Sequence, residues 1–282
     1  MIKRILLPLD PSDYASRATQ LACNVAKHHN AEITGMVVLD VPGIASSIGP
    51  IPARASFYAK ELQSSKIKEA DLRIKQLLED FKKECDAQGV AHNEAYSQGV
   101  PSDLIIEESK YFDILIMGKR TFFHFETQDE EGDSFDKILD STSTPILAVP
   151  KQSDCSRFIE DPTKVLIAVD GKINSARALN RFATLMHPGI AEVNLLISDD
   201  DDTKCDYVLA KSEAYLKVHG FDNIIKHKTK ENLIDHIDRL YINNVDLFVI
   251  GQHNKNTFAD FFLGSFSKYL IDKSKHLIMI GQ

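Results

Sequence analysis

The chain is poor in the features that announce a membrane span, a metal centre or a covalent mechanism. No apolar run approaches the ~18 residues that a spanning helix needs. The four cysteines, Cys23, Cys85, Cys155 and Cys205, are too scattered for a C-x-x-C pair or a zinc ligand set. They read as reduced thiols of a cytoplasmic protein. Basic residues are outnumbered, 33 Lys+Arg against 41 Asp+Glu, for a net charge of −8. Non-specific binding to nucleic acid or to anionic membrane wants the opposite balance, so neither is an expected partner. The N-terminus, Met1-Ile2-Lys3-Arg4-Ile5, enters a strand pattern directly and carries no secretory apolar core. Among the ten histidines, His28 and His29 are adjacent and cannot share one helix face, and His227, His236 and His253 are not at ligand spacing. The run Asp199-Asp200-Asp201-Asp202 lacks the glycine and distal glutamate of an EF-hand loop and reads as a solvated helix cap. Neither the G-x-S-x-G elbow nor the P-loop G-x4-G-K-[S/T] is present, and no residue set demands catalysis.

What remains is an ordinary globular composition, 43% hydrophobic and 26% charged over 282 residues, enough for about two domains. The chain also repeats itself. Ile5-Leu6-Leu7-Pro8-Leu9-Asp10 parallels Val165-Leu166-Ile167-Ala168-Val169-Asp170. Asp113-Ile114-Leu115-Ile116-Met117-Gly118 parallels Asp246-Leu247-Phe248-Val249-Ile250-Gly251, and Thr144–Pro150 parallels Lys275–Gly281. The order is the same in both halves, which sets a first domain at 1–150, a polar linker at 151–162 and a second domain at 163–282. Short Val/Ile/Leu runs alternate with amphipathic stretches, the pattern of a parallel sheet covered on both faces. Each copy is therefore expected to be a five-stranded doubly wound α/β unit. Ligands of such folds sit beyond the carboxyl ends of the strands, where Asp10, Asp170, Gly118 and Gly251 all fall. The last apolar run of each copy, Ile146–Val149 and Leu277–Ile280, reads as an edge available for mutual contact.

The richest stretch is Gly251-Gln252-His253-Asn254, then nine residues, then Gly264-Ser265. It reads as a strand ending in glycine, a loop, and a helix starting at Gly264-Ser265. A helix start offers unpaired N–H groups and partial positive charge, a seat for phosphate. An ordinary strand-to-helix connection would carry the same glycines. His253, inside the loop, is within reach of such a phosphate.

Together these residues resemble the universal stress protein family in its tandem two-domain form. The resemblance rests on the strand-end aspartates, the strand-end glycines, the closing Pro-Ile-Leu-Ala-Val strand and a relative of the family's G-x2-G-x9-G-[S/T] loop. It implies two Rossmann-like, adenine nucleotide alpha hydrolase-like domains, no robust enzymatic reaction, and, in the nucleotide-binding branch, ATP or AMP, with or without Mg²⁺. Adenine and ribose would lie near Asp170, and phosphates on Gly251, Gly264 and Ser265, with His253, Asn254 and Phe266 around them. Asn254 stands where the pattern has its second glycine. Asparagine tolerates positive φ, but its side chain crowds a phosphate that glycine admits.

The first copy keeps Asp10 and Gly118 but departs further. Gly118-Lys119-Arg120-Thr121 lacks the second glycine, and Asp129, Glu130, Glu131 and Asp133 stand where polyphosphate would lie. Two like charges about 4 Å apart repel by roughly 4 kcal/mol at an effective dielectric constant of ~20, so this copy is expected to bind ATP poorly. Two other readings stay open. One is an interaction protein that has lost nucleotide binding. The other is an apolar ligand in the first copy, under the Pro/Gly/Ile-rich stretch from Ile44 to Tyr58 and beside Phe122, Phe123 and Phe125. An intramolecular pseudo-dimer is expected from the repeat, and homodimerisation is left open.

Overall fold

The computed structural model describes residues 1–49, 56–120, 123, 134–151, 163–251, 261–273 and 275–282, with the side chains of 190, 191, 261–265 and 273 excepted. The described chain divides into two compact units, Lys3–Thr142 and Ser143–Gln282, the latter joined by Met1–Ile2.

In Lys3–Thr142 the strands β1 (Arg4–Pro8), β2 (Glu32–Leu39), β3 (His92–Gln98) and β4 (Ile114–Gly118) lie in the order β3-β2-β1-β4. The pairs β1–β2, β1–β4 and β2–β3 are parallel. Chain order runs outward from β1 through β2 to β3, then returns to the other side of β1 with β4. The strand order thus reverses between β1 and β4, and Asp10 and Gly118 sit at that switch point.

Helix α1 (Asp13–His29) buries Ala15, Ala18, Leu21, Ala22 and Val25, spaced as one helical stripe, and ends at Asn30 in the left-handed region, φ 51°. After β2 comes a short helix α2 (Val41–Ser47), despite its proline and glycine. Asp40 caps it, its Oδ1 accepting from the Gly43 N–H at 2.8 Å. A Cβ on Gly43 would crowd that carboxylate, so glycine lets the cap close in this geometry. The long helix α3 (Ser56–Gln88) presses Phe81 against Gly35 of β2, where a Cβ would stand 2.7 Å from the ring. Helices α4 (Pro101–Ser109) and α5 (Ser134–Ser141) complete this unit.

In Ser143–Gln282 the order is β5-β10-β9-β6-β7-β8, with β5 (Ile146–Val149), β6 (Thr163–Ala168), β7 (Ala191–Ser198), β8 (Ile224–Thr229), β9 (Leu247–Gly251) and β10 (Leu277–Gly281). Strands β6 to β9 repeat the order of β1 to β4, and their pairs are again parallel. Among the described strands of this unit only β5 runs against its neighbour, pairing antiparallel with β10 through Ala148↔Ile278 and Ile146↔Ile280. These are the two apolar edges that the sequence singled out for mutual contact. Helices α6 (Ile173–Leu185), α7 (Asp202–Val218), α8 (Leu233–Leu240) and α9 (Phe261–Lys273) cover this sheet. The central strands β6, β9 and β10 are almost wholly buried, as parallel strands covered on both faces must be.

One anchor recurs in both units. The Asp113 carboxylate accepts from the Lys3 and Arg4 N–H groups at 2.7 and 2.9 Å, tying the start of β4 to the start of β1. Asp246 accepts from the Lys164 N–H at 2.8 Å and ties β9 to β6 in the same way. The acid before each fourth strand therefore satisfies an amide at the lower end of the sheet, opposite the ligand edge.

Candidate functional site

A cavity of about 580 Å³ opens at the carboxyl ends of β6, β7 and β8. Its apolar floor is Ala168, Val169 and Leu196. Its rim is polar, with Asp170 after β6, Ser198 at the end of β7 and Asp199 after it, and Lys230 and Glu231 after β8. This volume lies within the range of small-molecule pockets.

Asp170 is held by hydrogen bonds from the start of the following helix. Ser175 Oγ donates to Asp170 Oδ1 at 2.5 Å and accepts from the Asp170 N–H at 3.3 Å. The Lys172 N–H donates to the same Oδ1 at 2.9 Å. Both bonds fall on one oxygen, so Oδ2 has no hydrogen-bond donor among the described residues. Ser175 lies in the first turn of α6, so helix and strand end hold the carboxylate together. Asp10 has a similar clamp from Ser12 Oγ at 2.7 Å, but it is fully buried. Asp170, by contrast, lines the cavity described above.

Charge around the cavity is paired. Lys204 Nζ meets Asp199 at 2.5 Å, which draws the Asp199 carboxyl below its usual range and raises the Lys204 amine. Lys230 reaches Asp202 at 3.0 Å. Glu231 accepts from Arg239 at 2.5 Å and faces His236 Nδ1 at 2.9 Å; its hydrogen bonds with His236 and then Arg239 hold its carboxyl low. The four-aspartate run behaves as expected of a cap. Asp201 Oδ1 accepts from the Thr203 and Lys204 N–H groups and starts α7. Among the described residues no group of three or more His, Cys, Asp or Glu is placed to hold a metal ion.

Gly251 ends β9 fully buried, outside the lining of this cavity. A Cβ there would stand 2.5 Å from the Asn174 carbonyl carbon and oxygen, so its bare backbone admits the first turn of α6. His253 and Asn254 lie outside the described residues. The helix of Gly264 and Ser265 begins earlier than the spacing predicts. It starts at Phe261, which sets Gly264 and Ser265 inside the first turns instead of at the start. The N–H groups without a partner inside the helix are those of Phe261–Leu263 and the residue before them, so neither Gly264 nor Ser265 offers one. Phe266 is fully buried. In the first copy Gly118 closes β4, buried, and the acidic loop beyond it lies outside the described residues, apart from Phe123, which is buried. Of the groups proposed around an apolar ligand, Ile44 is buried, while Phe57 and Tyr58 are 65% and 72% exposed. Lys119, next to Gly118, is buried, and that burial pulls its amine down to about 7.

Sequence reasoning missed the lysines of the rim. Lys226 and Lys228 alternate along β8 and Lys230 continues the pattern just beyond it to the cavity rim; they meet Glu213, Asp206 and Asp202 at 2.5, 2.9 and 3.0 Å. Period-two lysines on a strand, opposite acids recurring on one helix face, were the available signal.

The fold is a doubly wound α/β architecture with its pocket at the carboxyl edge. Residues 1–150 match the universal stress protein family, and the chain belongs to that family. A universal stress protein of Methanocaldococcus jannaschii is 30% identical over 153 residues, 54% of this chain and 84% of that protein. One from Synechocystis is 23% identical over 290 residues, 97% of either chain. The crystal structure of a universal stress protein from Archaeoglobus fulgidus shares the fold, with a TM-score of 0.71 at 18% identity, over 99% of this chain and 98% of that one. No helix among the described residues is long and apolar enough to cross a membrane.

Proposed function

We propose that this member of the family binds an adenine nucleotide, ATP or AMP, in its second domain and serves a sensing or regulatory role in the cytoplasm without rapid catalysis. The observation that carries the reading is Asp170, fixed through Oδ1 at the mouth of the cavity with Oδ2 left to accept from a ribose hydroxyl. The floor of Ala168, Val169 and Leu196 suits the flat apolar face of a base. The residues fit a nucleotide's sugar and base better than its phosphates. Lys204 and Lys230, two of the lysines that line the cavity, already hold Asp199 and Asp202, so a phosphate there competes with those carboxylates. Mg²⁺ bound with the nucleotide would relieve that competition.

Isothermal titration of the full chain with ATP and with AMP, with and without Mg²⁺, tests the reading. Saturable binding lost in Asp170→Ala supports it, and no heat at millimolar nucleotide removes it. One observation favours a second reading, an interaction protein with a vestigial site. Helix α9 begins at Phe261, so Gly264-Ser265 does not open it. If Asn254→Gly confers a nucleotide affinity that the native chain lacks, the second reading stands.

A further inference from the structure

We propose that Cys23 and Cys85 form a built-in dithiol that a peroxide converts to a disulfide, fastening α1 to α3 in the first unit. Their sulfurs lie 3.8 Å apart, in van der Waals contact, and both side chains are fully buried. A disulfide needs about 2.05 Å, so the pair must close by about 1.7 Å, a movement within reach of small changes in the two χ1 angles.

The contact is part of a matched stripe. Four residues beyond Cys23, Lys27 Nζ donates to the side-chain oxygen of Gln88, three residues beyond Cys85. The two helices therefore present the same faces to each other over successive turns. The polar pair at the end of the stripe holds the register that keeps the thiols opposed. Neither sulfur touches the proposed nucleotide cavity, which belongs to the other unit.

The two thiols are not equivalent. Either thiol can donate across the contact; a hydrogen bond from Cys85 favours the Cys23 thiolate and lowers its pKa, with Lys27 adding in the same sense while burial and Glu84 oppose. Cys85, as that donor, is raised, with burial, Cys23, Glu84 and Asp86 adding. We assign the first attack to Cys23, whose helix places the Lys27 ammonium one turn away at the same seam.

The chemistry balances with hydrogen peroxide as oxidant. The Cys23 thiolate attacks one peroxide oxygen, the O–O bond breaks, and the departing hydroxide takes a proton, giving Cys23 sulfenic acid and water. Cys85 then loses its proton and attacks the Cys23 sulfur, the S–O bond breaks, and a second water leaves. Two thiols lose two electrons in total and one peroxide gains them. Burial restricts the reaction to an oxidant of about the size of water. Cys205 is a built-in comparison: it is buried, and its sulfur lies 3.8 Å from the Asp199 carbonyl oxygen instead of another thiol.

The test is peptide mapping of the reduced full chain after millimolar hydrogen peroxide, with free thiols alkylated on unfolding. The expected product joins the Cys23 and Cys85 peptides, is lighter by two hydrogens, leaves Cys205 outside the bridge, and reverts with dithiothreitol. In Cys85→Ser, dimedone is expected to trap Cys23 as its sulfenic acid. Recovery of Cys23 and Cys85 from the native chain as free thiols, as sulfinic acids, or bridged to other cysteines overturns the proposal. So does dimedone labelling of Cys85 in Cys23→Ser with no labelling of Cys23 in Cys85→Ser.

Discussion

Ser175 Oγ donates to Asp170 Oδ1 at 2.5 Å, which couples the first turn of α6 to the end of β6. The hydroxyl is nearly inaccessible, so water cannot replace the bond easily. The consequence for binding is direct. Ser175→Ala frees the carboxylate to rotate and removes a hydrogen bond to a charged group, a loss of about 1.5–3 kcal/mol shared between fold and ligand. We expect nucleotide affinity to fall roughly tenfold while the chain stays folded, measured by titration calorimetry beside a thermal melt. Unchanged affinity would show that Asp170 needs no such clamp.

Gly251 makes a prediction of another kind. Gly251→Ala places a methyl 2.5 Å from the Asn174 backbone, which has no flexible end to move. Overpacking of this sort costs about 1–3 kcal/mol or more. Denaturant unfolding is expected to show the loss with or without nucleotide present. A variant as stable as the native chain would mean that α6 shifts freely.

Lys119 sets a pH dependence. Burial lowers its amine from 10.5 to about 7 in the folded protein. Between about pH 7 and 10.5 the unfolded chain holds a proton there that the folded chain does not. Stability therefore rises with pH across that window and falls as pH drops toward 7. Lys119→Met removes the proton difference. Its stability should be flatter from pH 7 to 10 than that of the native chain, and higher near pH 7, by urea unfolding at each pH. Parallel profiles would contradict the assignment.

Glu213 works in the opposite sense. Hydrogen bonds from Lys217 and Lys226 hold its carboxyl at about 2, down from 4.5. Its stabilising effect is present above about pH 4.5 and is lost as pH falls toward 2. Because the group is largely solvated, the effect on stability is small and screened by salt. A carboxyl NMR titration should show the low midpoint, moving upward in Lys217→Met, in Lys226→Met and in molar salt. An unmoved midpoint would remove the lysines as its cause.

The sequence was legible wherever periodicity was local. Asp13–His29 reads as a helix from its apolar spacing, and α1 spans those residues. It was less legible where a side-chain cap or a packing contact sets a boundary. The spacing predicts a helix over Lys230–Ile242, but α8 spans Leu233–Leu240. The Asn232 side chain accepts from the Ile234 N–H and starts it late, after β8 has continued to Thr229. The stretch Val41–Ser47 carries proline and glycine, so it reads as irregular until Asp40 is seen closing its first turn. Gly264-Ser265 looks like a helix start because glycine usually marks bends, yet an interior glycine costs only about 1 kcal/mol, and α9 runs through it.

By itself, the amino-acid sequence determined the alternation of strands and helices, the repeated order of its two halves, and the aspartate and glycine that close the equivalent strands. Those properties follow from hydrophobic period and turn chemistry, which act over a few neighbouring residues. Tertiary structure alone decided that Asp170 opens on a cavity while Asp10 is buried, that the backbone of Asn174 fills the space beside Gly251, and that Cys23 meets Cys85 across 62 positions of chain. Such meetings depend on the register of strands and the seating of helices, which only close packing of the whole chain sets.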